Sequence, residues 1–512
     1  MEMERTMSNE VVVLPDDQHN RELVGYVHPD DWVNPEPAEI YNLVVIGGGT
    51  AGLVAAVGAA TVGARVALVE KYLMGGDCLN YGCVPSKALI RSARVASEIK
   101  NGHEYGIEVP GSPEVNFPMV MERMRRLRAT IGHHDSAERF RSMGIDVFLG
   151  EARFSGPGLV EVGDVGLRFK KAVIATGTSP RVLEVEGLNE AGFLTNETVF
   201  TLTEKPEALL VVGGGPIGCE LAQTFLRFGS EVTLLEIGTQ LLPREDRDAA
   251  DILGAVFEEE GLRCLFNSSI KRVTVEGGRK VVTINTDNGE ETIVVDEILV
   301  GAGRVPSVEG LNLESVGVEY DERNGVHVND YLQTTNRRIY AAGDICYPYK
   351  FTHVAEATAR IVVQNALFLK SRKVNSMTIP WCTYTDPEIA HVGMYEKDAT
   401  EKGIEIDTFM KHFKEVDRAI LDGEDGGFVK VHTRKGKDKI LGATIVASHA
   451  GEMISEFSVA MASGKGLKTL ANVIHPYPTQ ADAIKQVSGQ YYADMLTPFR
   501  KRLLERWFAW KR

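Results

Sequence analysis

One pattern occurs twice in this chain, and few folds can accommodate it. From Asn42 to Glu70 the stretch NLVVIGGGTAGLVAAVGAATVGARVALVE reads as a buried strand, a glycine turn, a small-residue helix and a second strand ending in an acid. From Ala208 to Glu236, ALLVVGGGPIGCELAQTFLRFGSEVTLLE repeats it, and the interval from last glycine to acid is 18 residues in both. Gly47, Gly49 and Gly52, and likewise Gly213, Gly215 and Gly218, permit a tight turn, close approach of backbone to a pyrophosphate and close helix packing. Glu70 and Glu236 can then bind ribose hydroxyls. A lone glycine triplet is weak evidence, but each of these has its strand, helix and terminal acid. The expected fold class is therefore α/β, with two Rossmann-like dinucleotide-binding domains.

Between the two units lies GGDCLNYGCVPSK, from Gly75 to Lys87, centred on Cys78 and Cys83. An ideal helix advances ~7.5 Å over five residues, whereas a disulfide wants Cα atoms about 4.4 to 6.8 Å apart. A bridge here requires a bent turn, which Gly82 permits, and a strained bridge is readily reduced. Lys87, four residues past Cys83, would share its helical face and stabilise a thiolate. Spacing alone leaves a metal-ligand pair equally open. The dinucleotide units on either side favour an electron relay.

With 512 residues, 44% hydrophobic and 25% charged, the composition is that of a globular protein with room for about three domains. There is no apolar run of ~20 residues and no basic end followed by an apolar signal core, so the expected location is cytoplasmic. Six cysteines are few for a secreted disulfide scaffold. A net charge of −15 argues against general nucleic-acid binding.

Residues 1–39, with scattered acids and prolines, read as an extended, weakly ordered lead. The stretch MERMRRLRATIGHHD reads as a helix with a solvated charged face, its adjacent histidines, His133 and His134, being surface residues and not a metal site. Strands are expected to resume at Arg168. KKAVIATGTSP closes a strand with Thr176 and Gly177, and DEILVGAGRVPS echoes it after the second unit. TTNRRIYAAGDICY places Gly343 and Asp344 after another short strand, where the acid could reach a polyol chain. The expected organisation is a dinucleotide domain over 40–185, completed by 303–372, a second over 186–302, a packing and association domain over 373–496, and a basic tail over 497–512.

Two dinucleotide folds with a CxxxxC pair just after the first resemble the flavoprotein disulfide reductases, which include glutathione reductase, lipoamide dehydrogenase and mercuric reductase. The resemblance runs from about Tyr41 to about Thr497 and rests most firmly on GGDCLNYGCVPSK. It implies FAD on Gly47, Gly49, Gly52 and Glu70, with Thr176, Gly177, Gly343 and Asp344 as further contacts. It implies a nicotinamide cofactor on Gly213, Gly215, Gly218 and Glu236. Cys83 would be the thiol against the flavin and Cys78 the thiol that meets the acceptor, with Lys87 paired to Glu220. Reducing equivalents would pass from NAD(P)H through the flavin to the cysteine pair. The family also implies a homodimer built by a C-terminal α+β dimerisation domain.

Disulfide-reducing members carry a histidine before Pro-Thr and a glutamate five residues later. Here VIHPYPTQADAIKQ puts Tyr477 and Asp482 at those positions; a competing register takes His475 as the base and leaves Gln480 at the carboxylate position. A phenol of pKa ~10 is a poor base at neutral pH, and a tyrosine there resembles mercuric reductase. Yet no cysteine follows Cys382, so the vicinal pair that delivers mercuric ion is absent, and Cys219, Cys264, Cys346 and Cys382 read as isolated buried thiols. The acceptor is expected to be Hg(II) or a disulfide. A dihydrolipoamide dehydrogenase, a membrane-associated flavoprotein reducing a quinone and a redox-sensing interaction protein are the alternatives. Glu236 would repel a 2′-phosphate, and no basic residue stands between it and Arg244, so NADH is expected over NADPH. Pro216 replaces an aromatic residue that gates the nicotinamide site in some relatives.

The tail TPFRKRLLERWFAWKR sets six cations against Glu505, a local net charge of +5. Phe499, Leu503, Trp507 and Trp510 fall on one helical stripe. Docking on the acidic body or on a dimer partner is the plainer expectation, and peripheral attachment to a membrane surface the alternative.

Overall fold

The computed structural model describes residues 11–109 and 114–512; residues 1–10 of the expected lead lie outside them. The chain forms two compact units, Met1–Thr239 with Glu260–Ser376, and Gln240–Glu259 with Met377–Arg512.

In the first unit the leading glycine motif builds a strand β1 (Tyr41–Ile46), a helix α2 (Thr50–Thr61) and a strand β2 (Val66–Glu70), preceded by a helix α1 (Gln18–Val27). β1 lies between β2 and a strand β6 (Val165–Ile174), parallel to both, with Val44 opposite Ala67 and Ala172. β3 (Ile145–Leu149) extends the sheet parallel to β2. The antiparallel strands β4 (Ala152–Gly156) and β5 (Leu159–Val162) continue it beyond β6. Ile339–Ala341 returns from far along the chain to pair in parallel with β6. β2 is buried along its whole length, as a parallel strand covered on both faces must be. The core gathers Val44, Ile46, Ala67, Phe148, Phe154 and Phe169.

The second glycine motif builds a parallel four-stranded sheet in the order Arg263–Leu265, Glu231–Leu235, Ala208–Val212, Glu297–Val300. An antiparallel meander, Ser269–Glu276, Arg279–Thr286 and Gly289–Val295, shares its core through Leu210, Leu235, Val282, Ile284 and Ile298.

Three expectations need correction. The lead is not wholly extended: α1 is capped by the Asp17 carboxylate on Asn20 N and buries Asn20, Leu23, Val24 and Val27. The helix α5 (Phe117–Gly132) keeps a solvated face at Glu122 and Arg126, but Arg125 and Arg128 are turned inward and buried. The two departures have one cause: Arg125 pairs with Asp17, and Arg128 Nη2 donates to Asn20 Oδ1 at 2.6 Å, so α1 covers that face. Strands resume at Ile145, well before Arg168, since β3 completes the first parallel sheet. His133 and His134 are exposed.

The second unit is an antiparallel five-stranded sheet in the order Pro380–Thr383, Glu388–Gly393, Ile440–Ala447, Phe428–Arg434, Ile406–His412. Helices Ala450–Ala462 and Asp482–Asp494 supply Ile454, Phe457, Ile484 and Val487 to its core, against Val429, Val431, Ala443 and Ile445. No helix among the described residues is long and apolar enough to cross a membrane.

Candidate redox site

The two glycine turns are built alike, atom for atom. Gly47 has φ +107° and Gly213 φ +106°, a region that disfavours side chains. A Cβ at Gly52 would overlap the Gly47 carbonyl oxygen, and one at Gly218 would overlap that of Gly213. Glu70 accepts from Gly48 N at 2.6 Å and from Tyr72 N at 2.7 Å. Glu236 accepts from Gly214 N at 2.6 Å and from Gly238 N at 2.7 Å. Burial pushes the Glu70 carboxyl above the usual range, against those two N–H groups. Each carboxylate keeps lone pairs beyond the two it uses. Gly49 and Gly215 are the N-caps of α2 and of helix Pro216–Arg227, and neither has a side chain to cap the helix. The first-turn N–H groups of both helices are thus available to an anion. Both turns have the form that a dinucleotide requires.

The redox loop is joined directly to the first turn. Gly75 N donates to Gly48 O at 2.8 Å, and a Cβ on Gly76 would come within 2.7 Å of Gly49 Cα. The pair of glycines in GGDC therefore lets two backbone segments touch. A short helix α3 (Gly76–Asn80) carries Cys78, and a longer helix α4 (Cys83–Lys100) begins at Cys83. The chain breaks between them at Tyr81 and Gly82, where a Cβ on Gly82 would stand 2.9 Å from Asp77 O. That break is the bend the five-residue spacing demands.

Cys78 and Cys83 are both thiols here. The Cys78 thiol donates to Cys83, which holds Cys78 protonated and, with help from the Lys87 ammonium and Thr352, lowers Cys83, itself exposed, to about 6. Cys83 Sγ and Thr352 Oγ1 are 3.4 Å apart. Cys83 also sits in the first turn of α4, where the helix dipole favours an anion. Lys87 lies one turn on and donates to Glu220 Oε2 at 2.7 Å. The pair can therefore present a thiolate beside a thiol at neutral pH.

Sequence reasoning missed three supports of this loop. Arg304 pairs with Asp77, next to Cys78, while its Nε donates to Thr178 Oγ1 at 2.6 Å and its Nη2 to Thr178 O at 2.8 Å. Arg128 Nη1 donates to Asn80 O at 2.7 Å, and Asn80 Nδ2 donates to Gly76 O at 2.9 Å, so α1 and α5 brace the loop from behind. Thr352, at the start of helix Thr352–Leu367, is the third. Only Arg304 left a signal, as the one cation in the turn DEILVGAGRVPS.

Thr176 Oγ1 donates to Ser307 O at 2.8 Å, and Gly177 follows with φ +67°. Gly343 has φ +77°, and burial pushes the Asp344 carboxyl above the usual range against the pull of Lys350 and Arg304. In the second unit Tyr477 and Asp482 do not pair. The Tyr477 hydroxyl donates to Asp417 Oδ2 at 2.8 Å, and Asp482 Oδ2 accepts from Gln486 Nε2 at 2.6 Å. Tyr477 is 73% exposed, and the Asp417 carboxylate raises its pKa further. His475 Nε2 lies 3.1 and 3.2 Å from the two carboxylate oxygens of Glu456, a partner on helix Ala450–Ala462 that neither sequence register supplied. Of the remaining cysteines, Cys219 is fully buried and Cys264, Cys346 and Cys382 are half-buried. Among the described residues no cluster of three or more His, Cys, Asp or Glu could hold a metal ion.

Two dinucleotide turns flanking a thiol pair define a flavin- and nicotinamide-dependent oxidoreductase. Residues 41–359 match the family described as pyridine nucleotide-disulphide oxidoreductase, and residues 379–488 match its dimerisation domain. The chain belongs to this family, which uses FAD and NAD(P)H, and its second unit supports a homodimer. It is 33% identical to a mercuric reductase of Staphylococcus aureus over 94% of this chain and 90% of that protein. It is also 32% identical to a dihydrolipoyl dehydrogenase of Bacillus subtilis over 88% of this chain and 97% of that protein. Among solved structures, the HOCl-induced flavoprotein disulfide reductase RclA from Escherichia coli, in a Cu(II) complex, superposes with a TM-score of 0.79 at 27% identity, over 88% of this chain and 100% of that one.

Proposed function

We propose that the chain oxidises NADH and delivers the electrons through Cys83 and Cys78 to a thiophilic acceptor, a soft metal ion such as Hg(II) before a disulfide. In this reading residues 40–185 and 303–372 hold FAD, 186–302 hold the nicotinamide cofactor, 373–496 form the dimerisation domain, and the protein works in the cytoplasm. The turn at Gly47, Gly49 and Gly52 with Glu70 would hold the FAD pyrophosphate and ribose, with Thr176, Gly177, Gly343 and Asp344 alongside. The matching turn at Gly213, Gly215 and Gly218 with Glu236 would hold NADH. When bound, FAD supplies the two-electron link between the nicotinamide and the cysteine pair.

The chain's own residues do the rest. Reduction of a Cys78–Cys83 bridge by two electrons breaks one S–S bond, and the two sulfurs then share a single proton at neutral pH. That proton resides on Cys78, which donates to the Cys83 thiolate. The Lys87 ammonium stabilises the thiolate, and Glu220 balances Lys87. A soft dication such as Hg(II) displaces the proton and is bound by both sulfurs; two electrons then pass from the pair to the metal, the S–S bond re-forms and the metal leaves as Hg(0).

The observation that favours a metal ion is Tyr477. An exposed phenol bonded to Asp417, with its pKa raised, is a poor general base for thiol exchange. The His475–Glu456 pair favours a second reading, dihydrolipoamide dehydrogenase-like exchange of a small disulfide, with the imidazole as base. Anaerobic reduction by NADH followed by a panel of mercuric ion, lipoamide, glutathione disulfide, quinone and oxygen separates them. Fastest turnover with mercuric ion, lost in Cys78→Ser and Cys83→Ser, is the expected result. Fastest turnover with lipoamide, lost in His475→Gln, would establish the second reading. Full activity of both cysteine variants with the best acceptor would remove the thiols from the path.

A further inference from the structure

The helix Pro498–Lys511 has no place in the redox reading. Its start is well specified: Thr497 Oγ1 accepts from Arg500 N at 3.4 Å, and Pro498 occupies the first turn. Yet no residue of it is buried. Phe499 is 74% exposed and Trp510 76%, and Leu503, Leu504, Trp507 and Phe508 are exposed with them. A helix of 14 residues gains too little from its own hydrogen bonds to be more than marginal alone in water. Its apolar side chains are left free to meet another surface.

Its surface says what. At 100° per residue Phe499, Leu503, Trp507 and Trp510 form one ridge, and Leu504 and Phe508 form a second. Arg506 flanks the first ridge on one side, Arg500 and Lys511 on the other, so three cations rim the apolar stripe, while Lys501 stands on the far face. The Lys511 ammonium lies 5.0 Å from the Trp507 ring centroid, and the Trp507 and Trp510 rings are 5.5 Å apart. A protein groove that took the ridge would bury those cations at a desolvation cost. A lipid interface takes the ridge into the acyl boundary and lets the cations snorkel to phosphates. The charge balance points the same way: the last thirteen residues carry a net +5 within a chain of −15, so an anionic surface attracts this helix and repels the rest of the chain.

We infer that Pro498–Lys511 is an interfacial anchor that seats this oxidoreductase on an anionic lipid surface. The aromatic ridge lies in the headgroup layer and Arg500, Arg506 and Lys511, which flank it, engage lipid phosphates.

The test is flotation of the FAD-loaded full chain with vesicles rich in phosphatidylglycerol, with phosphatidylcholine vesicles and high salt as further arms. The full chain is expected to float with the anionic vesicles at least about tenfold more than with neutral ones, and to lose binding at high salt. A chain ending at Leu496, and one carrying Trp507→Ser with Trp510→Ser, are expected to stay at the bottom with unchanged dimer mass. Equal partition of full and shortened chains would overturn the anchor. So would a change in oligomeric mass on shortening with no vesicle binding by the full chain, which would give the helix to a second copy. Flotation reads position and not turnover, so its failure leaves the redox reading untouched.

Discussion

Lys87 Nζ donates to Glu220 Oε2 at 2.7 Å, tying the helix that begins at Cys83 to the helix of the second glycine motif. The lysine side chain is 34% exposed and the glutamate 7%, so the pair is a partly buried neutral unit whose ammonium faces the thiolate. The two charges act on Cys83 with opposite signs: Lys87 lowers its pKa and Glu220 raises it. Lys87→Met should therefore raise the pKa of Cys83 from about 6 by about one unit, and Glu220→Gln should move it the other way by less. The pH dependence of iodoacetamide alkylation of the reduced protein reads this directly. A shift of the same sign in both variants would refute the electrostatic account.

Cys78 contributes more to that thiolate than Lys87 does, as the donor of a hydrogen bond. Cys78→Ser keeps an O–H that can donate, and should leave the alkylation pKa of Cys83 within about half a unit. Cys78→Ala removes the donor and should raise it by about one unit. At pH 5 the wild-type thiolate is largely protonated, so alkylation should slow below pH 6 and level off above pH 7. An unchanged profile in Cys78→Ala would show that the donor is elsewhere.

The brace behind the redox loop is open to a stability measurement. Arg128 is 2% exposed and bonds Asn80 O and Asn20 Oδ1, so Arg128→Met strands two buried acceptors. The expected loss is about 2 to 3 kcal/mol of unfolding free energy, and Asn20→Ala should cost about 1 to 2 kcal/mol. Urea unfolding at pH 7 measures both. If α1 supports the loop through this contact, the double variant should cost less than the sum of the two singles. Strict additivity would place the two residues in separate roles.

How much of this was legible follows from where each constraint originates. Gly52 and Gly218 could be read because a side chain there would collide with the carbonyl five residues earlier, so the residue type is dictated within a short window; Gly47 and Gly213 answer both to their own positive φ and to backbone far along the chain, at Ala175 and Gly301. Gly82 was legible as freedom to bend; that Gly75 and Gly76 let the redox loop touch Gly48 and Gly49 needs the fold. Arg304 with Asp77, Thr352 with Cys83 and His475 with Glu456 stayed hidden because each meeting is made by tertiary packing across long or irregular separations. The α1 helix was missed for a different reason. Its Asp17 cap and the spacing of Leu23, Val24 and Val27 are helical signals, but the acids and prolines around them outweighed so short a period. Arg125 and Arg128 then looked solvated, since the helix that covers them was not in view.

In the proposed reading the choice between nicotinamide cofactors rests on Glu236, which is 6% exposed and accepts from the backbone of Gly214 and Gly238. Those two N–H groups hold the carboxylate at the end of strand Glu231–Leu235, where a ribose would arrive. A 2′-hydroxyl can donate to the remaining lone pairs; a 2′-phosphate brings a second anion to a buried one, with no cation supplied by the seven residues that follow. NADH should therefore exceed NADPH in kcat/KM by at least about tenfold, roughly 1.4 kcal/mol of discrimination. Glu236→Gln keeps the size, removes the charge and leaves one acceptor oxygen, so it should raise KM for NADH while narrowing the ratio. Steady-state kinetics with both cofactors, with the acceptor saturating, give the two ratios. A wild-type preference for NADPH, or a ratio unmoved in the glutamine variant, would mean that cofactor selection is made away from this strand.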